Sequence, residues 1–174
     1  MNDSIPHRVT KSENFDELEM EIRATLEQIA TTAGTDSEWT SRIKEALCVL
    51  AKKKGYEVYA AGCNGAKYGE WLFDMCWTME KEHFSKLPFV MECEWDQSED
   101  AIRWDFDKLV VAKADHKLVV FNQRTLESVK WMMEKLLERI RHFDDKLPGE
   151  RYLMAGYYYE NVYSFYFEAC AVSA

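Results

Sequence analysis

The hydrophobic and polar residues of this chain follow helical spacing first and strand-like alternation afterwards. Apolar residues recur every three or four positions over Phe15–Ile29, which predicts a helix with Ser12 as its N-cap and Gly34 as its C-terminal cap. A second stripe over Trp39–Leu50 predicts another helix that is closed by Gly55. The chain therefore opens with two amphipathic helices.

Strand-like segments follow these helices and are separated by short polar breaks. Three come first and form a meander: Tyr56–Ala61, Ala66–Met79 and Leu87–Trp95. The remaining predicted elements are a helix from Ser98 to Ala114, a buried strand at Lys117–Phe121, a helix from Thr125 that ends before Pro148, and the strands Arg151–Tyr159 and Val162–Val172. The predicted order is ααβββαβαββ.

A strand–helix–strand unit after a meander predicts a central mixed sheet with helices on its faces, an α/β (α+β) fold. The length of 174 residues suits one domain, which we expect to span residues 12–174 behind a flexible lead-in of residues 1–11.

The third predicted strand carries two carboxylates in an otherwise apolar segment. Because strand side chains alternate between faces, Glu92 and Glu94 point one way, while Cys93 and Trp95 point the other. Ionised carboxylates repel one another, and each is costly to bury without a partner. This end of the strand is therefore either solvated or occupied by a cation.

The second predicted strand supplies a third carboxylate. Its apolar face holds Trp71, Phe73, Met75 and Trp77, and Asp74 lies on the opposite face. If the second and third strands are antiparallel neighbours, Asp74 lies beside Glu92 and Glu94. Three converging carboxylates suit Mg²⁺, which takes oxygen ligands. The alternative is an ordinary polar face of an antiparallel sheet.

The order helix, meander, helix, strand, with Asp in the second strand and Glu-x-Glu in the third, resembles the PD-(D/E)XK nuclease superfamily. The resemblance covers residues 36–123 and implies a restriction-endonuclease-like fold and metal-dependent cleavage of DNA or RNA. It implies that Asp74, Glu92 and the carbonyl of Cys93 hold Mg²⁺ or Mn²⁺. It also implies that Glu94 orients the attacking water.

The chain departs from the family pattern at two positions. Glu94 stands where the family usually has lysine, and Phe73 stands where proline often precedes the aspartate. Lys108, on the helix after the motif strand, is our candidate replacement for that lysine. Its alternative role is a surface salt bridge with Asp105, three residues earlier.

Further positions match the family less closely. Lys113, beyond the same helix, is a second candidate for contact with the phosphate. An acidic residue on the helix before the meander assists some members, and Glu45 or Glu38 would match it.

Composition limits these expectations. A net charge of −9 argues against a dedicated nucleic-acid-binding protein, but not against an enzyme that grips a phosphodiester through metal ions. No apolar run is long enough for a membrane span, and the first residues lack the apolar core of a signal peptide. We therefore expect a cytoplasmic protein without a membrane partner.

The aromatic residues near the C-terminus suggest a different function. Tyr157–Tyr159 and Tyr163–Phe167 lie on the last two predicted strands, where half of the rings should point away from the core. With this net charge, an outward set favours a protein partner or a homodimer. The alternative to a nuclease is therefore an inactive module of the same fold that acts through protein–protein contacts.

Overall fold

The computed structural model describes residues 7–30, 34–80 and 84–173. Elements are numbered in chain order. The helices are α1 (Glu17–Ile29), α2 (Asp36–Lys53), α3 (Glu99–Val111) and α4 (Leu126–His142). The strands are β1 (Val9–Lys11), β2 (Glu57–Tyr59), β3 (Met75–Glu80), β4 (Phe84–Glu94), β5 (His116–Gln123), β6 (Arg151–Tyr158) and β7 (Ser164–Val172).

The described strands form one seven-stranded mixed sheet in the order β1-β7-β6-β5-β4-β3-β2. The three central strands β4, β5 and β6 run parallel, and every other neighbouring pair is antiparallel. Helices α3 and α4 make the two crossovers between the parallel strands, as parallel neighbours require. The predicted mixed sheet flanked by helices is confirmed.

Each face of the sheet is covered by a pair of helices. On one face, Ile43 of α2 joins a core that includes Trp77 and Phe89, whose ring centroids lie 4.3 Å apart. On the other face, Phe106 of α3 and Leu136 of α4 pack in a second core. The central parts of strands β4 to β6 are therefore buried on both sides, which explains their nearly continuous apolar sequences.

The first helix begins later than predicted. Asp16, not Ser12, caps α1, because Asp16 accepts from the amide of Glu19 while the Glu19 side chain accepts from the amide of Asp16. The backbone amide of Ser12 instead donates to Ala169 of β7. Helix α1 ends at the C-cap Ala30, so Gly34 does not cap it, and residues 31–33 of the predicted ending lie outside the described residues.

The glycine predicted to close α2 does so. Gly55 has a positive φ of 79° and follows the C-cap Lys54 directly.

Helix α4 ends at His142, well before Pro148.

The predicted lead-in is wrong for residues 9–11, which form β1 and pair antiparallel with β7. The folded domain therefore includes residues before 12. A three-residue strand is too short to show an alternating pattern in the sequence. Residues 1–6 of the predicted lead-in lie outside the described part of the chain.

The second predicted strand is much shorter than expected, since β3 begins at Met75 and not at Ala66. Trp71 is half exposed and precedes the strand, so it does not belong to a core face. Phe73 packs in the core opposite to that of Met75 and Trp77. Irregular backbone before β3 breaks the alternation on which the prediction depended.

No helix within the described residues is long and apolar enough to cross a membrane.

A buried ion pair lies between β5 and β6 at their amino ends. The Nζ of Lys117 is 3.0 Å from Oε1 of Glu150 and donates to the Tyr152 hydroxyl at 2.9 Å. That hydroxyl donates in turn to Oε2 of Glu150. Burial lowers the pKa of Lys117, and Glu150 opposes this effect. The carboxylate of Glu150 thus balances the charge of the fully buried ammonium of Lys117.

We predict that Glu150→Ala lowers the free energy of unfolding by about 3–5 kcal/mol, because it leaves the charge of Lys117 buried and unpaired. Urea unfolding followed by circular dichroism measures the change. The control is Glu160→Ala, whose partner Arg124 is mostly exposed and lies 3.5 Å away. We expect this control to change stability by less than about 0.5 kcal/mol. Equal effects of the two substitutions would contradict the role of Glu150.

Candidate active site

The register of β3 and β4 brings Asp74 and Glu92 together. The strands are antiparallel with Met75 opposite Met91, so Asp74, one residue before β3, lies beside Glu92. The amide of Cys93 donates to Oδ2 of Asp74 at 2.8 Å, which fixes this carboxylate at the end of β4. The predicted antiparallel pairing of these two strands is confirmed.

Glu92 is buried under α3 and paired with a lysine. Only 2% of its surface is exposed, and its Oε1 lies 2.7 Å from Nζ of Lys108. The same ammonium lies 2.9 Å from Oδ1 of Asp105, one turn earlier on α3. The predicted salt bridge between Lys108 and Asp105 is therefore present, and the same ammonium also contacts the buried Glu92.

Burial and charge act in opposite directions on this pair. Burial raises the pKa of Glu92 to about 8, the nearby charge of Asp74 adds to this rise, and Lys108 opposes it. Burial disfavours the charge of Lys108, but its contacts with Glu92 and Asp105 outweigh that effect and raise its pKa. Asp105 holds the ammonium in place whether Glu92 is ionised or protonated.

A second lysine reaches the same strand ends from the opposite helical layer. Lys44 of α2 is 5% exposed, and its Nζ lies 3.0 Å from Oδ1 of Asp74 and 3.7 Å from Oε2 of Glu70. Lys44 is not among the site residues predicted from the sequence. A signal was present, since Lys44 stands between Ile43 and Leu47 in the apolar stripe of α2, and a buried lysine requires a partner.

Glu94 lies on the same face of β4 as Glu92, as predicted, but closer to solvent. Its Oε1 accepts from the amide of Asp96 at 2.8 Å. Burial and the neighbouring Asp105 raise its pKa. Asp105 thus lies between Lys108 and Glu94, so it belongs to the site and not only to the lysine contact.

The remaining sequence candidates lie elsewhere. Lys113 borders a small pocket with Pro148 and Gly149, at the amino ends of the parallel strands and away from the carboxylates. Glu38 completes the capping box of α2 with Thr35. Glu45 accepts from Asn64 at 3.4 Å. Lys113 therefore lies at the wrong end of the sheet, whereas Glu38 and Glu45 lie on α2 with other partners.

No group of three or more His, Cys, Asp or Glu side chains within residues 7–30, 34–80 and 84–173 is arranged to hold a metal ion. Lysine ammonium groups stand beside Asp74 and Glu92 instead. The donor chemistry still suits Mg²⁺, which is usually held by one or two carboxylates with waters and substrate phosphate. The N–H and C=O groups of one strand residue point toward the same neighbouring strand. Because the amide of Cys93 donates to Asp74, the carbonyl of Cys93 also points toward the Asp74 side of β4.

Comparisons with protein families, curated proteins and solved structures find no match to this chain.

We predict that Glu92 makes the protein less stable as pH rises. A carboxyl whose pKa is raised from 4.5 to about 8 binds its proton more tightly in the folded state, so stability falls as pH rises between these values. The contribution to the slope is at most about 1.4 kcal/mol per pH unit. Glu92→Gln cannot titrate, so its unfolding free energy should lack this decline.

Urea unfolding of the metal-free protein at several pH values between about 5 and 8 tests this slope. The matched control is Glu138→Gln on the exposed surface of α4, which should keep the wild-type slope. Parallel curves for wild type and Glu92→Gln would show that Glu92 does not titrate as proposed.

Proposed function

We propose that this protein is a metal-dependent phosphodiesterase that hydrolyses nucleic acid and has a restriction-endonuclease-like fold. The observation that carries the proposal is the ion pair of 2.7 Å between Lys108 of α3 and the buried Glu92, beside Asp74. The motif strand lacks the usual lysine at position 94, and Lys108 supplies an ammonium to the same carboxylate cluster. Two acids and a lysine thus meet at one end of β3 and β4.

The order of elements supports the same interpretation. Helix α2, the meander β2–β4, helix α3 and the parallel strand β5 follow one another, and these four strands are neighbours in the sheet. This is the order of elements on which the resemblance to the nuclease superfamily depends. Ligands of sheets with parallel strands bind beyond the carboxyl ends of those strands, and the carboxylates of β4 lie at that end.

Asp74, Glu92 and the Cys93 carbonyl would hold Mg²⁺ or Mn²⁺. A bound ion would neutralise charge at the phosphate and lower the pKa of a coordinated water. Glu94, which lies nearer to solvent than Glu92, orients the attacking water. Lys108 donates to a phosphate oxygen, and Asp105 positions its ammonium.

Lys44 has a positioning role in this scheme. Its ammonium neutralises part of the charge of Asp74 and holds the carboxylate against α2, while the Cys93 amide holds the other oxygen. A carboxylate fixed at both oxygens is oriented before substrate arrives, which reduces the entropic cost of forming the productive arrangement.

The net charge of −9 makes cations at the site necessary. A polyanionic strand is repelled by an acidic surface unless local positive charge offsets the repulsion. The lysines of the site supply part of this charge and the divalent ion the rest. DNA or RNA is therefore expected to bind weakly when the metal is removed.

We predict that the purified protein cleaves DNA or RNA in the presence of Mg²⁺ or Mn²⁺, and that Asp74→Asn and Glu92→Gln abolish this activity. Lys108→Ala should reduce the single-turnover rate by about 10²- to 10³-fold, the usual effect of removing one electrostatic contact to a transition state. Single- and double-stranded substrates of both nucleic acids should be compared. The readout is metal-dependent product formation on denaturing gels.

Lys113→Ala is the matched control, because it removes the same charge at the opposite end of the sheet. It should retain the wild-type cleavage rate. Equal loss in both lysine variants would mean that general charge, and not the contact of Lys108 with Glu92, supports activity. Absence of both Mn²⁺ binding by calorimetry and cleavage would refute the proposal and favour the inactive protein-binding module.

A further inference from the structure

A concave site lies at the same end of the sheet as the carboxylates, on the face covered by α2. It is a pocket of about 370 Å³, within the range of small-molecule sites. We call it the aromatic pocket and define it by Trp39, Trp95, Asn122, Tyr157 and Tyr163. None of these residues has a role in the proposed hydrolysis.

The rings of the aromatic pocket are held in fixed positions by the core beneath them. Trp39 is 5% exposed and packs on Tyr157 with ring centroids 4.8 Å apart. The indole nitrogen of Trp95 donates to the Thr40 hydroxyl at 2.7 Å, which sets the orientation of that ring. The pocket thus has rigid aromatic walls before any ligand binds.

Tyr163 forms an outer wall that is free to adjust. Its ring lies 18° from parallel to that of Tyr157, with centroids 6.5 Å apart, and the residue is 65% exposed. Because Tyr163 is mostly exposed, its ring can move outward and widen the pocket for a planar ring.

The polar groups of the pocket suit a neutral heteroaromatic ring. Oδ1 of Asn122 is buried and has no hydrogen-bond partner within the described part of the chain, so it is available as an acceptor. Asp36 at the rim is a second acceptor. Among the described residues, those lining the pocket include no lysine or arginine, which argues against a phosphate. A nucleobase has both a stacking face and amino or imino donors.

The pocket and the carboxylate site meet at two consecutive residues of the chain. Glu94 and Trp95 are consecutive, and they point to opposite faces of the sheet, toward α3 and α2 respectively. A strand of nucleic acid that crosses this edge would present a phosphate on one side and a base on the other.

We propose that the aromatic pocket binds one unpaired nucleobase of the strand whose phosphodiester lies at the carboxylate site. This inference depends on the proposed function for its substrate class. Base–aromatic stacking tolerates different bases, because every base offers a π face. The pocket therefore selects for unpaired strands more than for a particular sequence.

The test measures binding in EDTA, where hydrolysis does not occur, at protein concentrations high enough to saturate the weak metal-free complex. The probes are a single-stranded oligonucleotide of about eight nucleotides with a central 2-aminopurine, and the same strand with an abasic site there. We expect the 2-aminopurine fluorescence to be quenched on binding and the abasic strand to bind about tenfold more weakly. Tyr163→Ala should remove both effects, and Tyr163→Phe should retain them.

Trp131→Ala is the control, since Trp131 is a half-exposed aromatic residue on α4 away from the pocket. It should keep the wild-type preference. Equal affinity of the wild type for both strands, or an unchanged preference in Tyr163→Ala, overturns the inference. So does a change in sedimentation of Tyr163→Ala without a change in base preference, which would identify a homodimer contact instead.

The outcomes separate this inference from the proposed function. Metal-dependent cleavage without any base preference refutes the aromatic pocket alone. A base preference in a protein that never cleaves refutes the hydrolytic role alone.

Discussion

Burial of the three parallel strands on both faces is the constraint on which the rest of this structure depends. Helices α1 and α2 cover one face and α3 and α4 the other, so the side chains in the middle of β4, β5 and β6 have no solvent-facing direction. A charged residue in this central part must therefore find its counter-charge inside the protein. Lys117 meets Glu150 at the amino ends, and Glu92 meets Lys108 near the carboxyl ends.

The end of β4 produces two different carboxyl environments within three residues. Glu92 is enclosed beneath α3, which raises its pKa, whereas Glu94 lies where the helices no longer cover the strand completely. Neighbouring acids with different environments are a frequent feature of hydrolytic sites, because one site then offers groups in different protonation states. The layered architecture also brings Lys44 of α2 and Lys108 of α3 to this point from opposite sides.

The strongly acidic composition does not conflict with a nucleic-acid substrate, because the charge at the site differs from the charge of the whole surface. The net charge describes the whole surface, while the charge near Asp74 and Glu92 is offset by two lysines. Affinity for a nucleic acid would depend on this small region and on a bound divalent ion. The aromatic pocket would add contacts that carry no charge, which suits a protein whose global field repels polyanions.

Local patterns in the sequence determined most of the helices, the buried strand β5 and the alternation of Glu92 and Glu94, because periodicity and capping depend on residues a few positions apart. They did not reveal β1, the late start of β3, or the contact of Lys44 with Asp74. Each of these depends on partners far away in the chain, which come together only when the layers pack. The sequence thus predicted the candidate carboxylates, and the tertiary structure decided which lysines stand beside them.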